Sequence, residues 1–306
     1  MTTSSVLPAG TDEPAGELSD SALARSLGEL TSEHADVNGV RLHYVTGGSG
    51  PAVVLMAGWP QTWWAFRHLL PRLAAGHRVI ALDLRGMGGS DKPAGGYDKK
   101  TMAGDVVALL GHLGIERADL VGHDMGAMVS FSVAANHPEV LRKVVMLDVP
   151  HPEDSWYEFR MLPQPGQVFY PWWMALNSAP GIPEQLLAGN PRPVLDFVYD
   201  CLLVDKAAIG PRDRDVYARA YHSAEANRAG AAWYQAFPRD MADLRTYPPV
   251  ATPILAIVGA GETGFMTGAL DGKATDFRVA EIPDSGHYLA EERPEKVLAL
   301  LADFLG

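Results

Sequence analysis

One short stretch has the residue types and spacing of a nucleophile on a sharp turn. Residues 120–127 read Leu-Val-Gly-His-Asp-Met-Gly-Ala, which sets Gly-x-Asp-x-Gly between a predicted strand and a predicted helix. In such a turn, here called the elbow (residues 122–126), the middle side chain projects above the sheet and the glycines leave room for the crowded backbone. The helix N-terminus beneath it stabilises negative charge. We therefore predict that Asp124 is a carboxylate nucleophile.

A nucleophile of this kind needs a base and an acid that orients the base. His287 stands in the loop between the last predicted strand and the last predicted helix, and is the candidate base. Two carboxylates compete for the orienting role: Asp148 ends the strand after the elbow helix, and Glu262 lies in a glycine-rich loop after the next strand. We favour Asp148, because it is short and stands directly at a strand end, and we keep Glu262 as the alternative.

A second turn offers backbone hydrogen-bond donors. Residues 56–61, Met-Ala-Gly-Trp-Pro-Gln, follow a short apolar strand, and we call residues 57–61 the oxyanion loop. The backbone N–H groups of Trp59 and Met125 are the predicted donors of an oxyanion hole. Their task is to stabilise the negative oxygen that forms when water attacks an acyl carbon.

The elements that must position these residues are visible as an alternation of apolar runs and helical spacing. We predict strands at 40–45, 52–56, 78–82, 120–121, 144–147, 254–258 and 278–282, and helices at 63–74, 101–113, 125–136 and 294–304. Strands that alternate with helices favour a mostly parallel, doubly wound sheet.

The alternation is interrupted after residue 150 by proline-divided helical segments that contain four of the seven tryptophans. The sequence therefore predicts an α/β core at 33–150 and 242–306, with a helical cap inserted at 151–241. Residues 1–32 form a separate extension, predicted to be mobile up to residue 16, with a short helix over 19–30.

Composition excludes several classes of function. The 306 residues carry 25 basic and 37 acidic side chains, a net charge of −12, which disfavours nucleic acid or an anionic membrane as partner. Cys201 is the single cysteine, so no internal disulfide forms, as is typical of a reducing cytosol. The start of the chain has no signal-like pattern, and no apolar run suits a membrane helix. We therefore expect a cytoplasmic enzyme with a small-molecule substrate, as a monomer or a homodimer.

Three segments together carry a family likeness. The elbow, Gly-Trp-Pro at 58–60 and Asp-Leu-Arg-Gly-Met-Gly-Gly-Ser-Asp-Lys-Pro at 83–93 resemble the α/β-hydrolases of the epoxide hydrolase and dehalogenase branch, and the likeness runs over residues 33–306. It implies an α/β-hydrolase fold with an inserted cap. It also implies that Asp124 attacks an electrophilic carbon to give an alkyl ester, which water activated by His287 then hydrolyses. Ala57 departs from the pattern, since a histidine usually precedes the glycine there.

The leaving group divides this branch into subclasses. Tyr234, on a segment that resembles the cap helix bearing the ring-opening tyrosine, is carried over as the proton donor to an epoxide oxygen. Trp172 and Trp173 resemble a halide cradle and are predicted to contact substrate. Similar fluoroacetate dehalogenases carry arginines where this chain has Met125 and Met128. We therefore predict a neutral, apolar substrate against a wall that includes Met128.

The first hypothesis is thus an epoxide hydrolase, and the second is a dehalogenase with the same Asp-His-Asp set. A ligand-binding protein on a hydrolase scaffold and an unusual biosynthetic hydrolase-fold enzyme remain as further alternatives. The sequence has no ligand spacing for a metal and no nucleotide-binding loop, so we predict no metal and no cofactor.

Overall fold

The computed structural model describes residues 16–163, 165 and 170–306, which include one mixed β-sheet. Its strands are β1 (Leu30–Val37), β2 (Val40–Gly47), β3 (Ala52–Met56), β4 (Arg78–Leu82), β5 (Ala118–His123), β6 (Leu141–Leu147), β7 (Ile254–Val258) and β8 (Phe277–Glu281). The eight strands lie in the order β1-β2-β4-β3-β5-β6-β7-β8. Only β2 runs antiparallel to both of its neighbours, and all pairs from β4 to β8 are parallel.

The centre of the sheet follows from continuous apolar runs. β3 and β7 are buried at every position, as expected of strands covered on both faces. The mostly parallel sheet predicted from the alternation is confirmed. Because parallel strands end at the same edge, residues that follow β3, β5, β6 and β8 are brought close to one another.

Helices connect the strands and fill the insertion. They are α1 (Asp20–Ser26), α2 (Leu70–Leu73), α3 (Lys99–His112), α4 (Met125–Asn136), α5 (Trp172–Asn177), α6 (Pro183–Leu187), α7 (Arg192–Leu202), α8 (Pro211–Ala220), α9 (Ala224–Gln235), α10 (Phe237–Leu244), α11 (Thr263–Leu270), α12 (Leu289–Glu292) and α13 (Pro294–Leu305). α4 has the predicted bounds and is buried over most of its length. No helix in the described part of the chain is long and apolar enough to cross a membrane.

The first half of the chain departs from prediction in two places. The helix predicted at 63–74 is instead a 3₁₀ turn, Trp63–Phe66, followed by the single turn α2, which has Pro71 near its start. Proline cannot donate a helical hydrogen bond, so a continuous helix through it is disfavoured. Leu30 opens β1 rather than closing a helix, and α1 ends at Ser26. Residues 1–15, for which mobility was predicted, lie outside the described residues.

The stretch between β6 and β7 carries α5 to α10, and its described residues contain no strand. We propose that these helices form the cap predicted at 151–241, with α10 continuing across that boundary to Leu244. Two hydrogen bonds show how closely they sit on the rest of the chain. His287 donates its backbone N–H to the carbonyl of Leu202 in α7 (3.1 Å), and Lys99 Nζ pairs with Asp240 Oδ2 in α10 (3.0 Å).

Candidate active site

The elbow turns sharply between β5 and α4. Asp124 has φ 52° and ψ −117°, a backbone conformation that residues other than glycine rarely adopt. The turn closes tightly, because a Cβ on Gly122 would collide with the Gly126 carbonyl and one on Gly126 with the Met56 carbonyl. The carboxylate is thereby held at the end of the sheet, with 9 % of the residue exposed.

One oxygen of this carboxylate is held by the backbone. The Trp59 N–H donates to Asp124 Oδ1 at 2.9 Å, and the Met125 N–H also donates to this carboxylate. Gly58 permits the approach, since a Cβ there would overlap the Asp124 side chain. The two predicted oxyanion donors thus converge on one carboxylate, which leaves Oδ2 as the oxygen free of the Trp59 bond.

His287 lies in the loop after β8 and is hydrogen-bonded to Asp148. Its Nδ1 lies 2.7 Å from Asp148 Oδ2, and the other Asp148 oxygen accepts the Gly259 N–H at 3.0 Å. Asp148 follows β6 with φ 68°, a left-handed conformation that aspartate tolerates better than most residues. With Nδ1–H donated to the carboxylate, Nε2 of the neutral ring is the acceptor.

Glu262, the alternative acid, takes a different position. It is an exposed residue at the start of α11 and lines the rim of the cavity described below. Desolvation of its carboxyl, and then the neighbouring charge of Asp148, raises the pKa of Glu262. The hydrogen bond to the His287 ring comes from Asp148, so the geometry favours Asp148 for the orienting role.

Burial and charge act in opposite directions on the two central groups. Burial raises the pKa of Asp124 above its usual value, and His287 and the two backbone donors offset this only in part. For His287, burial lowers the pKa, but the hydrogen bond and charge of Asp148, together with the charge of Asp124, outweigh it and raise the pKa above 6.5. An imidazole with a raised pKa is a better proton acceptor.

The second histidine of this region supports the first. His123 is buried, and its Nε2 lies 2.9 Å from the His287 carbonyl, so it donates a hydrogen bond there. Burial, and then the charge of His287, keeps the pKa of His123 well below 6.5, so the ring is neutral. His123 therefore ties the end of β5 to the loop that carries His287.

A cavity of about 660 Å³ opens above Asp124 and His287. It is bounded by core loops on one side and by α5, α7, α9 and α10 on the other. Its apolar wall includes both methionines near the elbow, Met125 and Met128. The other large apolar residues in the wall are Trp59, Val149, Trp156, Phe159, Trp173, Met174, Val198, Leu202, Phe237 and Phe265.

Tyr234 lies in this cavity on α9 and is almost fully buried. Its ring meets Trp59 edge-on at 5.8 Å and Phe237 at 5.2 Å. Burial, and then the negative charge of Asp124, holds the pKa of Tyr234 well above 10, so the hydroxyl is a neutral donor.

The two predicted tryptophans separate. Trp173 lines the cavity, whereas Trp172 packs its ring edge-on against Phe197 at 5.5 Å. Adjacent residues on a helix point about 100° apart, so both cannot face the same wall. The expected two-tryptophan cradle is therefore reduced to Trp173.

Sequence reasoning missed several residues of the site. Trp156 and Phe159 stack at 5.7 Å and close one side of the cavity, and Phe265 approaches Phe159 at 6.1 Å. Glu158 and Arg160 lie exposed at its mouth. The aromatic density after residue 150 was a signal for these positions, but only the fold shows which rings face inward.

The chain is similar to known proteins over most of its length. A family described as alpha/beta hydrolase fold matches residues 51–294. The chain is 31 % identical to a soluble epoxide hydrolase of Corynebacterium sp. (strain C12), covering 88 % of this chain and 95 % of that one. It is 29 % identical to a fluoroacetate dehalogenase of Burkholderia sp., covering 88 % and 92 %. The crystal structure of Cfl2 from Burkholderia cenocepacia superposes with a TM-score of 0.85 at 33 % identity, covering 92 % and 97 %.

Proposed function

The chain belongs to the alpha/beta hydrolase fold family, and from that premise we propose that it opens neutral organic epoxides to vicinal diols through an ester on Asp124. The observation that carries the proposal is the Asp124 carboxylate at the elbow, with Oδ1 bound by the Trp59 N–H. A carboxylate attacking an ester would give a reactive anhydride, whereas attack on an epoxide carbon gives a simple ester. The site chemistry therefore favours a strained ether over an ordinary carboxylic ester as substrate.

In the first half-reaction, Asp124 Oδ2 attacks an epoxide carbon. The bond between that carbon and the ring oxygen breaks, and its electron pair stays on the oxygen. The Tyr234 hydroxyl delivers a proton to this oxygen. A raised pKa does not prevent this step, because an alkoxide is a far stronger base than a phenolate. The products are an Asp124 hydroxyalkyl ester and a Tyr234 phenolate.

In the second half-reaction, His287 Nε2 takes a proton from water as the water attacks the ester carbonyl carbon. Negative charge develops on Oδ1, which already accepts the Trp59 N–H, and the Met125 N–H donates to the same carboxyl group. The intermediate collapses with cleavage of the acyl–oxygen bond, and the departing diol oxygen takes the proton from His287. The Asp124 carboxyl group then loses its proton to solvent and the Tyr234 phenolate takes one up, so the net change is epoxide plus water to diol.

The wall of the cavity supports a neutral substrate. Met125 and Met128, the first and fourth residues of α4, supply thioethers to the cavity wall, and neither can neutralise a substrate carboxylate. The cavity, at about 660 Å³, accommodates a body much larger than a two-carbon acid.

A dehalogenase is the second candidate function. The specific observations in its favour are the Trp173 ring in the cavity wall and the 29 % identity to a fluoroacetate dehalogenase. An indole N–H stabilises a departing halide but donates a proton poorly. Release of halide without epoxide opening would reverse the ranking of the two functions.

The test is to trap the ester. We expect His287→Gln to form the Asp124 ester and then to stall, because no base remains to activate water. Intact-mass analysis after addition of aryl and alkyl epoxides should show protein plus one substrate mass. Asp124→Asn is the matched control and should show no adduct. In wild-type single turnover in heavy-oxygen water, the label should enter Asp124 first; solvent label in the first product would contradict the covalent mechanism.

A further inference from the structure

The oxyanion loop is held from above by two tyrosine hydroxyls. Tyr199, on α7, donates to the Pro60 carbonyl at 2.8 Å, and Tyr221, directly after α8, donates to the Gln61 carbonyl at 3.1 Å. Both residues are at most 1 % exposed. The two carbonyls that follow Trp59 in the chain are therefore fixed by the helical insertion and not by the core.

The Trp59 N–H belongs to the same short turn. This N–H donates to Asp124 Oδ1 at 2.9 Å. Trp59 lies inside a tight turn that is closed by a hydrogen bond from the Gln61 N–H to the Gly58 carbonyl at 2.8 Å. Ala57 contributes only a methyl group to this loop. A shift of the Pro60 or Gln61 carbonyl would thus move the peptide that carries the oxyanion donor.

The Gln61 side chain has a further link to the insertion. It donates to Glu291, which also accepts the Tyr217 hydroxyl from α8 at 2.9 Å. On the other side, a Cβ on Gly230 of α9 would lie 3.1 Å from the Trp59 ring and 3.2 Å from the Tyr221 ring. The insertion therefore contacts the oxyanion loop through side chains, rings and backbone at once.

We propose that Tyr199 and Tyr221 are positioning residues that aim the Trp59 N–H at the oxygen of Asp124 during ester hydrolysis. The inference rests on the proposed function. Burial raises the pKa of both phenols well above 10, so each hydroxyl keeps its proton and donates throughout the working pH range.

The two half-reactions should respond differently. In ester formation, the Asp124 carboxylate loses charge, so a donor to Oδ1 gains nothing from the transition state. In ester hydrolysis, negative charge grows on that same oxygen, and a preorganised donor is worth most there. Loosening the loop should therefore slow hydrolysis and leave ester formation nearly unchanged. A purely structural role for the hydroxyls would not produce this split.

The experiment compares Tyr199→Phe, Tyr221→Phe and the double variant with wild type and with Tyr97→Phe. Tyr97, which is 4 % exposed, is the control, and its hydroxyl donates to the Pro93 carbonyl at 2.7 Å, outside the oxyanion loop. Rapid-quench mass analysis with an epoxide that wild type turns over gives the two rates separately. We expect hydrolysis about tenfold slower in each single variant, formation changed less than about twofold, and a larger steady-state ester fraction. Tyr97→Phe should match wild type.

A second readout needs no turnover. Hydrogen exchange of a peptide that covers residues 57–61 should be faster in the Tyr199 and Tyr221 variants and unchanged in Tyr97→Phe. Equal slowing of both half-reactions, no slowing of either, or unchanged exchange would overturn the positioning role. If wild type forms no ester with any epoxide, the proposed function fails, and the exchange result alone then decides whether the two hydroxyls hold the loop.

Discussion

At the scale of single residues, the charge of the Asp124 carboxylate affects the pKa of the His287 imidazole. Asp148 holds the His287 ring at 2.7 Å, and the Asp124 charge adds to the raised pKa of His287. In the proposed mechanism, esterification removes the Asp124 charge. His287 would then be more easily deprotonated in the ester intermediate, where a neutral ring is needed, than in the free enzyme.

This coupling predicts two different pH dependences. The pKa of His287 in the free enzyme should lie above 6.5, and in the ester it should be lower, because one of the charges that raise it has been neutralised. When hydrolysis limits turnover, kcat should fall with decreasing pH through the lower of the two values. The measurements are a kcat–pH profile and an NMR titration of His287.

Asp124→Asn supplies the control, since its neutral amide imitates the charge of the ester. The His287 pKa in this variant should match the midpoint of the kcat profile and lie below the free-enzyme value. A kcat midpoint at or above the free-enzyme pKa would show that the Asp124 charge does not tune the base.

The residue types at the centre of the site could be predicted, because they follow strand ends. Asp124, Asp148 and His287 each come directly after a strand or in the loop beyond it, and parallel strands bring such positions to one edge. The assignment of Trp173 and not Trp172 to the cavity could not be made, since it depends on how α5 is rotated against its neighbours.

At the scale of elements, local sequence patterns predicted the bounds of those helices and strands whose ends are set by neighbouring residues. The bounds of α4 and β7 agree with prediction, because each is a mostly apolar run with a clear boundary. β1 was missed, although Asn38-Gly39 joins it to β2 with both residues at positive φ, which is a strong hairpin signal. Polar residues at most of its exposed positions hid this edge strand.

The docking of the helical insertion could not be predicted, because its anchors are far apart in sequence. Lys99 begins α3, and its partner Asp240 lies 141 residues later on α10; both side chains are fully buried. The Lys99 backbone N–H also donates to Asp240 Oδ1 at 2.7 Å, and Lys99 Nζ donates to the Trp233 carbonyl at 3.1 Å. No local periodicity relates these positions.

This anchor gives the prediction that belongs to the element scale. Lys99→Met should lower the free energy of unfolding by about 3–5 kcal/mol, because it leaves the Asp240 carboxylate buried without its cation. Lys99→Met combined with Asp240→Asn should recover most of that loss. The side-chain amide oxygen of Asn still accepts a hydrogen bond from the backbone N–H of residue 99. Urea unfolding at constant pH measures both.

The exposed pair Arg72–Glu295, at 3.1 Å, is the control. Arg72→Met should change the unfolding free energy by less than about 1 kcal/mol, because exposed pairs are screened by water. A double variant at Lys99 and Asp240 that is no more stable than Lys99→Met would show that the loss arises from packing and not from the unpaired charge.

At the scale of the whole molecule, the site is a largely apolar cavity between the sheet and the helical insertion, with an open mouth. Its charged groups are the Asp124, Asp148 and His287 set at the floor and three side chains at the mouth, Glu158, Arg160 and Glu262. The net charge of the chain, −12, has the same sign as this excess of carboxylates. The molecule is therefore suited to admit neutral bodies and to repel anions.

The last prediction tests that property with three aryl epoxides of similar size, bearing a methyl, a carboxamide or a carboxylate group on the ring. We expect kcat/KM to be at least about tenfold lower for the carboxylate than for the carboxamide, because the anion must be desolvated next to Asp124 and Asp148. The carboxamide separates charge from size and polarity.

Arg160→Gln should leave kcat/KM for the two neutral substrates unchanged and should lower kcat/KM for the carboxylate further. Added salt should reduce the part of the discrimination that arises at the exposed mouth. A carboxylate substrate that equals or exceeds the carboxamide would mean that Arg160 recruits anions, and that the rim, not the apolar chamber, sets the substrate preference.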